Sequence, residues 1–390
     1  MSNVRREKLS AAQLLRVFFV AGAIAIALLL IGALFDRAQF FRSYLFAFSF
    51  WLAIPLGSLA ILMLQYLTGG EWGWIIRRSL EAAARTLPLI GLLFVPVLIG
   101  VPALYPWAQA EHLAGDAVLQ HKAGYLNVPF FVARALFYLG AWAALGFFLN
   151  RWSHQQDDAL GHADPRLRRL SAAGLLLYFI TMTFAAIDWF MSIEPDWYST
   201  IYGVLWIVNQ GLTALAFAIV ALALSERRPP LVTYLRPNHF HDLGNLLLAF
   251  VMLWAYMAFS QYVIIWSGNL AEEIPWYIKR TAGGWRWIPP VLIVGHFFLP
   301  FLFLLQRGVK QKSTRLAWVA GAILVMRILD NYWLVVPGFG HTAAKAHWLD
   351  VAAIVGVGGL WCGAFLWQRE KRPLLPFMVP ETAENRAIHA

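Results

Sequence analysis

Seven ionisable side chains stand inside segments that otherwise suit the interior of a bilayer: Arg134, Asp188, His296, Arg327, Asp330, His347 and Asp350. Each costs about 2.5–3.5 kcal/mol at the centre of a membrane span, so each is expected to face a bundle interior and to find a partner. Acids and bases of this kind can exchange protons near neutral pH. Two tasks suit them: hydrogen bonding to a quinol head group, and relaying protons. Neither needs a metal or a nucleophile. Arg327 and Asp330 lie three apart on one helix, within ion-pair reach. His347 and Asp350 repeat that spacing, and Asn331 adds polar capacity at the same depth. Asp188 and Asp330 lead the candidates. The competing reading is that these groups snorkel to the interface and lock helices together through hydrogen bonds.

A second group sits in "RPNHFHDLGNLLLAF", residues 236–250, where His239, His241 and Asp242 gather at the start of an apolar run, with Asn245 one turn deeper. As a purely structural feature, Asp242 is an acid at a helix N-terminus, favoured by the macrodipole. Functionally, the group is a proton mouth that feeds Asn245 and, in the middle of the following span, His296. The proton-path candidates are therefore Asp188, Asp330, Arg327, Arg134, His296, His241, Asp242 and Asn245. No catalytic nucleophile and no metal site is expected. His239 and His241 have no cysteine partner, and no phosphate-cradling glycine loop is present. Only His296 lies well inside a span, which leaves haem b without a facing pair of histidines. The single cysteine, Cys362, rules out a disulfide framework and iron–sulfur or haem c attachment on this chain.

The elements that must carry these residues are membrane helices. Of the 390 residues, 60% are hydrophobic and only 13% charged, where a soluble domain carries about 25% charged residues. The expected fold is an all-α integral membrane protein with ten spans, at 12–35, 43–67, 83–104, 128–150, 170–190, 198–224, 242–266, 287–306, 313–336 and 347–368. The larger share of the 31 Lys and Arg residues falls in the N-terminus, the even-numbered loops and the C-terminus. Positive charge kept inside accounts for this: both termini are expected in the cytoplasm, and the net charge of +10 records topology instead of nucleic-acid binding. The first apolar run is too long for the h-region of a signal peptide and is read as a retained span. Segment 105–127 is expected to hold one short amphipathic helix, and 369–390 a polar cytoplasmic tail.

One polytopic domain, 1–390, is expected, with an internal repeat inside it. "AAIDWFMSIEP" and "MRILDNYWLVVP" both place an Asp, then after one residue an aromatic, and a Pro seven positions after the Asp. This pairs Asp188–Pro195 with Asp330–Pro337. It suggests two parallel four-helix units, 43–190 and 198–336, flanked by spans 12–35 and 347–368. In "IDWFMSIEPDWYSTIYG", residues 187–203, Glu194 and Asp196 read as solvated hairpin residues around Pro195.

That stretch, taken with "HFHDLGNLLLAFVMLWAYMAFSQYVIIWSGNLAEEIPWY" at 239–277, resembles the F-type membrane subunit of bacterial alternative complex III. That subunit is one of the polysulfide-reductase (NrfD-like) membrane anchors. The resemblance covers most of the chain and is clearest over about 180–290, in runs such as "FMSIEP" and "FSQYVIIWSGNLAEEIPWYIKR". It implies a bacterial inner-membrane subunit of a quinol:cytochrome c oxidoreductase, with two four-helix bundles. The partners it implies are a C-type anchor subunit, a periplasmic iron–sulfur subunit and multihaem cytochrome c subunits. Haem c and iron–sulfur clusters would then belong to those partners, and this chain would bind no redox cofactor beyond a quinone. It also implies that Asp188, His241 and Asp242 are proton-path positions, and that Glu272 and Glu273 lie in a partner-docking loop. One departure is Asp196, where the family usually has a histidine. Two alternatives stand beside this reading: a secondary transporter with a pocket built on Arg134, Asp188 and Arg327, and a purely structural anchor.

Overall fold

A computed structural model describes residues 11–158, 164–340 and 346–376. Among these residues there is no strand, and ten helices are long and apolar enough to cross a membrane. They are α1 (Ala12–Phe35), α2 (Arg37–Thr68), α3 (Glu71–Ile99), α4 (Val128–Asp157), α5 (Pro165–Ile193), α6 (Tyr202–Ala223), α7 (Pro237–Gly268), α8 (Gly283–Leu305), α9 (Ser313–Phe339) and α10 (Trp348–Glu370). Helices are the necessary solution for an open chain in lipid, because every backbone N–H and C=O must be satisfied within its own segment. This is a multi-pass membrane protein. Residues 1–10 and the tail beyond Pro376, both expected in the cytoplasm, lie outside the described residues.

Local chemistry sets the helix ends. Asp36 Oδ1 accepts from the Gln39 N–H at 2.9 Å to start α2, and Asp164 Oδ1 accepts from Arg166 at 2.9 Å to start α5. Gly69 and Gly70, both at positive φ (71° and 96°), turn the chain from α2 into α3. A side chain would strain two such residues in succession.

Several expectations are corrected. Helix α3 begins at Glu71, not 83, because Arg78 and Glu81 pair inside the fold and need no loop. Helix α7 begins at Pro237, not 242, capped by the His239 ring, whose Nδ1 accepts from the Arg236 N–H at 3.2 Å. Asp242 is thus a second-turn residue, half exposed, and not the helix cap. Segment 105–127 holds a short 3₁₀ turn and two short helices, Ala110–Gly115 and Ala117–Lys122, in place of one. His347 and Asp350 do not form an ion pair: they cap α10, with Asp350 Oδ2 accepting from the His347 N–H at 2.8 Å. The other Asp350 oxygen accepts from Ser43 Oγ at 2.6 Å, which fastens α10 to α2.

The core lies along α2 and α6, the two most buried helices, whereas α1, α7 and α8 are mostly exposed. Lipid-facing and interior-facing residues are both apolar here, so close approach, not hydrophobicity, defines the seams. At Gly57 a Cβ would fall 2.1 Å from the Gln210 carbonyl oxygen of α6. Helices α1 and α10 run antiparallel on glycines, with Gly359 meeting Gly22 at 2.5 Å from its would-be Cβ.

Candidate functional site

Asp330 and Arg327, one turn apart on α9, form a buried ion pair, 4% and 2% exposed. Neither charge would be tolerated there alone. Trp254 of α7 donates its indole N–H to Asp330 Oδ2 at 3.3 Å, and Arg327 Nε donates to Thr213 Oγ1 of α6 at 3.2 Å. The pair therefore joins three helices.

Asp330 also lies on the wall of a cavity of about 790 Å³, held between α7, α8, α9 and the short helix Ile274–Thr281. Its walls are almost entirely apolar and aromatic, with Trp254, Tyr262, Tyr277, Phe297 and Trp333 among them. Tyr256 and Phe259, which also line it, are 64% and 66% exposed on the outer face of α7. The cavity thus opens sideways, toward the surface that lipid would cover. Its polar groups are few. Besides Asp330, Gln261 presents a buried side-chain oxygen that accepts no well-formed hydrogen bond among the described residues, although the Tyr277 hydroxyl is close by.

Behind the cavity, His296 is fully buried with its ring packed edge-on against Trp254, centroids 4.1 Å apart. Neither ring nitrogen has a hydrogen-bond partner among the described residues. His296 sits in a π-helical turn, Ile293–Phe298. Pro300 explains the turn, since it has no N–H to give to the His296 carbonyl one turn back. Such turns recur at functional sites.

The helix Ile274–Thr281, one wall of the cavity, is held by a latch of charge. Glu194 Oε2 accepts from Arg280 at 2.7 Å, and Oε1 from Lys279 at 3.0 Å. Arg280 lies 3.8 Å above the Trp276 ring and also donates to the Leu334 carbonyl of α9 at 3.0 Å. Burial alone would raise the pKa of Glu194, but Arg280 and then Lys279 outweigh it and hold the carboxyl below its ordinary value. The expectation of a solvated Glu194 is corrected: it is 9% exposed and ion-paired, because the hairpin folds back over the 274–281 helix. Asp196 is exposed.

Asp188 occupies a different environment. Arg134 grips it with two hydrogen bonds, Nε to Oδ2 at 2.8 Å and Nη2 to Oδ1 at 3.0 Å, and the Tyr138 hydroxyl adds a third at 2.9 Å. Tyr125 and Phe130 stack on the guanidinium at 3.9 and 4.2 Å. This is a filled joint between α4 and α5. Asn331 is likewise occupied, donating to Ser49 Oγ of α2 at 2.7 Å.

At the opposite end of α7, Lys310 donates to Asn245 Oδ1 at 2.6 Å, and Asn245 meets His241 at 3.3 Å. Lys310, 7% exposed, was absent from the sequence candidates. Between this cluster and His296, α7 turns the fully buried Leu247 and Val251 inward. The structure thus brings Asp330, Arg327 and His296 together, and separately gathers His241, Asp242 and Asn245. Arg134 and Asp188 make their own pair, while Glu272 is exposed and Glu273 half-buried in the loop after α7. Sequence reasoning missed Gln261, Trp254, Tyr277 and Arg280. Only Gln261 carried a signal, as a polar residue in an apolar span. No protein-family model and no curated protein matches this chain.

Proposed function

We propose that this chain is an inner-membrane subunit of a quinol-oxidising respiratory complex, and that the cavity beside Asp330 receives the quinol head group. The observation that carries this is the cavity itself: aromatic, open sideways toward lipid, and bearing an acceptor at each of two places, Asp330 and Gln261. Ligand sites of this kind are mostly apolar with a few placed polar groups. A head group with two hydroxyls would donate to both acceptors, while its isoprenoid tail leaves through the gap at Tyr256 and Phe259. Losing two electrons, a quinol also releases two protons. Asp330, ion-paired with Arg327 and open on one face to the cavity, is placed to accept one, and His296, packed on the Trp254 ring, is the other side chain there that can take a proton. The electrons go to redox centres in partner subunits, an iron–sulfur protein and multihaem cytochromes c, in keeping with the family resemblance. A transporter pocket on Arg134, Asp188 and Arg327 is less favoured, since all three are consumed in ion pairs.

Quinones quench tryptophan fluorescence, and Trp254, Trp276 and Trp333 line the cavity. Purified protein titrated with a short-chain quinone should show saturable quenching. Asp330→Asn leaves Arg327 without its counter-charge and so lowers stability. In its folded fraction it replaces a charge-assisted hydrogen bond, for which about 1.5–3 kcal/mol is typical, so affinity there should fall about ten- to a hundred-fold. Ala258→Phe should block the cavity without touching charge. Linear, unsaturable quenching that is equal in all three proteins would remove the cavity from the proposal. Purification from membranes in mild detergent tests the complex: haem c and an iron–sulfur protein should accompany the chain, and a haem-free protein running alone would refute membership.

A further inference from the structure

At the end of the bundle opposite Asp330, where α2 meets α3, four guanidinium groups gather around two carboxylates. Arg78 satisfies both acids: Nη1 contacts Glu81 Oε2 at 2.6 Å, and Nη2 contacts Asp157 of α4. Glu81 is fully buried, and its other oxygen accepts from Ser153 Oγ at 2.5 Å and from the Tyr66 hydroxyl at 3.3 Å. The acids are therefore spent. Arg77, Arg85 and Arg372 are not. Arg77 lies over the Tyr66 ring at 5.1 Å, and its Nε is buried with no acceptor among the described residues. Arg85 donates once, to the Gln368 carbonyl at 3.1 Å, and its Nε too is buried without an acceptor. Arg372 donates to the Asn150 carbonyl at 3.3 Å. Its Nη1 stands 3.5 Å from Glu81 without hydrogen-bond geometry.

Buried donors in native proteins almost always have acceptors, and buried charge without a counter-charge is costly. Several guanidinium forks with spare N–H groups and an excess of positive charge fit one class of ligand best, a tetrahedral oxyanion with several acceptor oxygens. The three arginines are only partly buried (Arg372 is 16% exposed), so the cluster can be reached from outside. We propose that Arg77, Arg85 and Arg372 form a binding site for a phosphate oxyanion, between α3 and the C-terminal end of α10. Its depth, at the end of membrane-spanning helices, suits a phospholipid head group, since basic pockets at that level hold anionic lipid. Free phosphate would present the same oxygens.

The test uses the full-length protein in mild detergent. Native mass spectrometry would follow retention of phosphatidylglycerol, phosphatidylcholine as the zwitterionic control, and competition by millimolar inorganic phosphate. The wild type should hold one phosphatidylglycerol selectively, and Arg85→Gln/Arg372→Gln should weaken that binding at least tenfold. Failure of inorganic phosphate to compete identifies a lipid site, and full competition identifies a soluble phosphate site. Equal retention of the two lipids by the wild type would overturn the proposal. So would unchanged affinity in the double variant. Should that variant fail to fold, Arg85→Lys/Arg372→Lys keeps the charge but loses the forks. A severalfold loss is expected from it, and wild-type affinity would count against the site.

Discussion

At the residue scale, Asp188 and Asp330 show how one residue type, buried in a membrane span, can serve two ends. Both pair with an arginine, yet Asp188 spends both oxygens on Arg134 and Tyr138, whereas Asp330 keeps a face on an open cavity. Breaking a buried pair by removing one partner costs about 3–5 kcal/mol. Asp188→Asn should therefore lower stability by about 3 kcal/mol and leave quinone quenching unchanged in the folded fraction. Arg134→Gln/Asp188→Asn should recover part of that loss, because no uncompensated charge remains. Thermal denaturation of the purified variants reads the first effect and fluorescence titration the second. An Asp188→Asn protein with wild-type stability and weakened quenching would restore Asp188 as a ligand-binding residue.

At the scale of elements, the short helix Ile274–Thr281 is tied to the hairpin between α5 and α6 by Glu194. The hairpin between α5 and α6 delivers this carboxylate to Lys279 and Arg280, and the helix then closes one side of the cavity. The pH dependence follows from the depressed pKa of Glu194. The stabilisation is fully present above the ordinary carboxyl value of 4.5 and is lost as pH falls through the lower folded-state value. Amide hydrogen exchange over 274–281, corrected for intrinsic rates, should stay slow at neutral pH and quicken in acid. Glu194→Gln should exchange fast throughout and lose the pH dependence. Slow exchange in Glu194→Gln at pH 7 would show that aromatic packing alone holds the helix.

At the scale of the whole molecule, α2 crosses α6 at Gly57, close enough that backbone faces backbone. Overpacking a tight contact typically costs about 1–3 kcal/mol. Gly57→Val should cost at least that and lower the yield of monodisperse protein, because the obstacle is the Gln210 carbonyl and not a movable side chain. Gly91→Ala, where no atom lies within 4 Å, should behave as wild type. Size-exclusion profiles and melting curves of the two variants compare them directly.

The number of spans and the place of Arg327 and Asp330 inside one of them were legible in the amino-acid sequence. Both depend on local hydrophobic length, because a helix in lipid satisfies its own backbone and needs about 20 apolar residues to cross. The helical register of Arg327 and Asp330 was legible for the same reason. Helix α3 was read short because the charges at Arg78 and Glu81 look like a loop when their partners, Asp157 and Ser153, lie far along the chain. The cavity, the closed joint at Asp188 and the latch at Glu194 left no such trace. Each depends on which side chains from separate helices fill or fail to fill a shared space. That outcome belongs to the packing of α4, α5, α7, α8 and α9 against one another, and it is decided only when the tertiary structure forms.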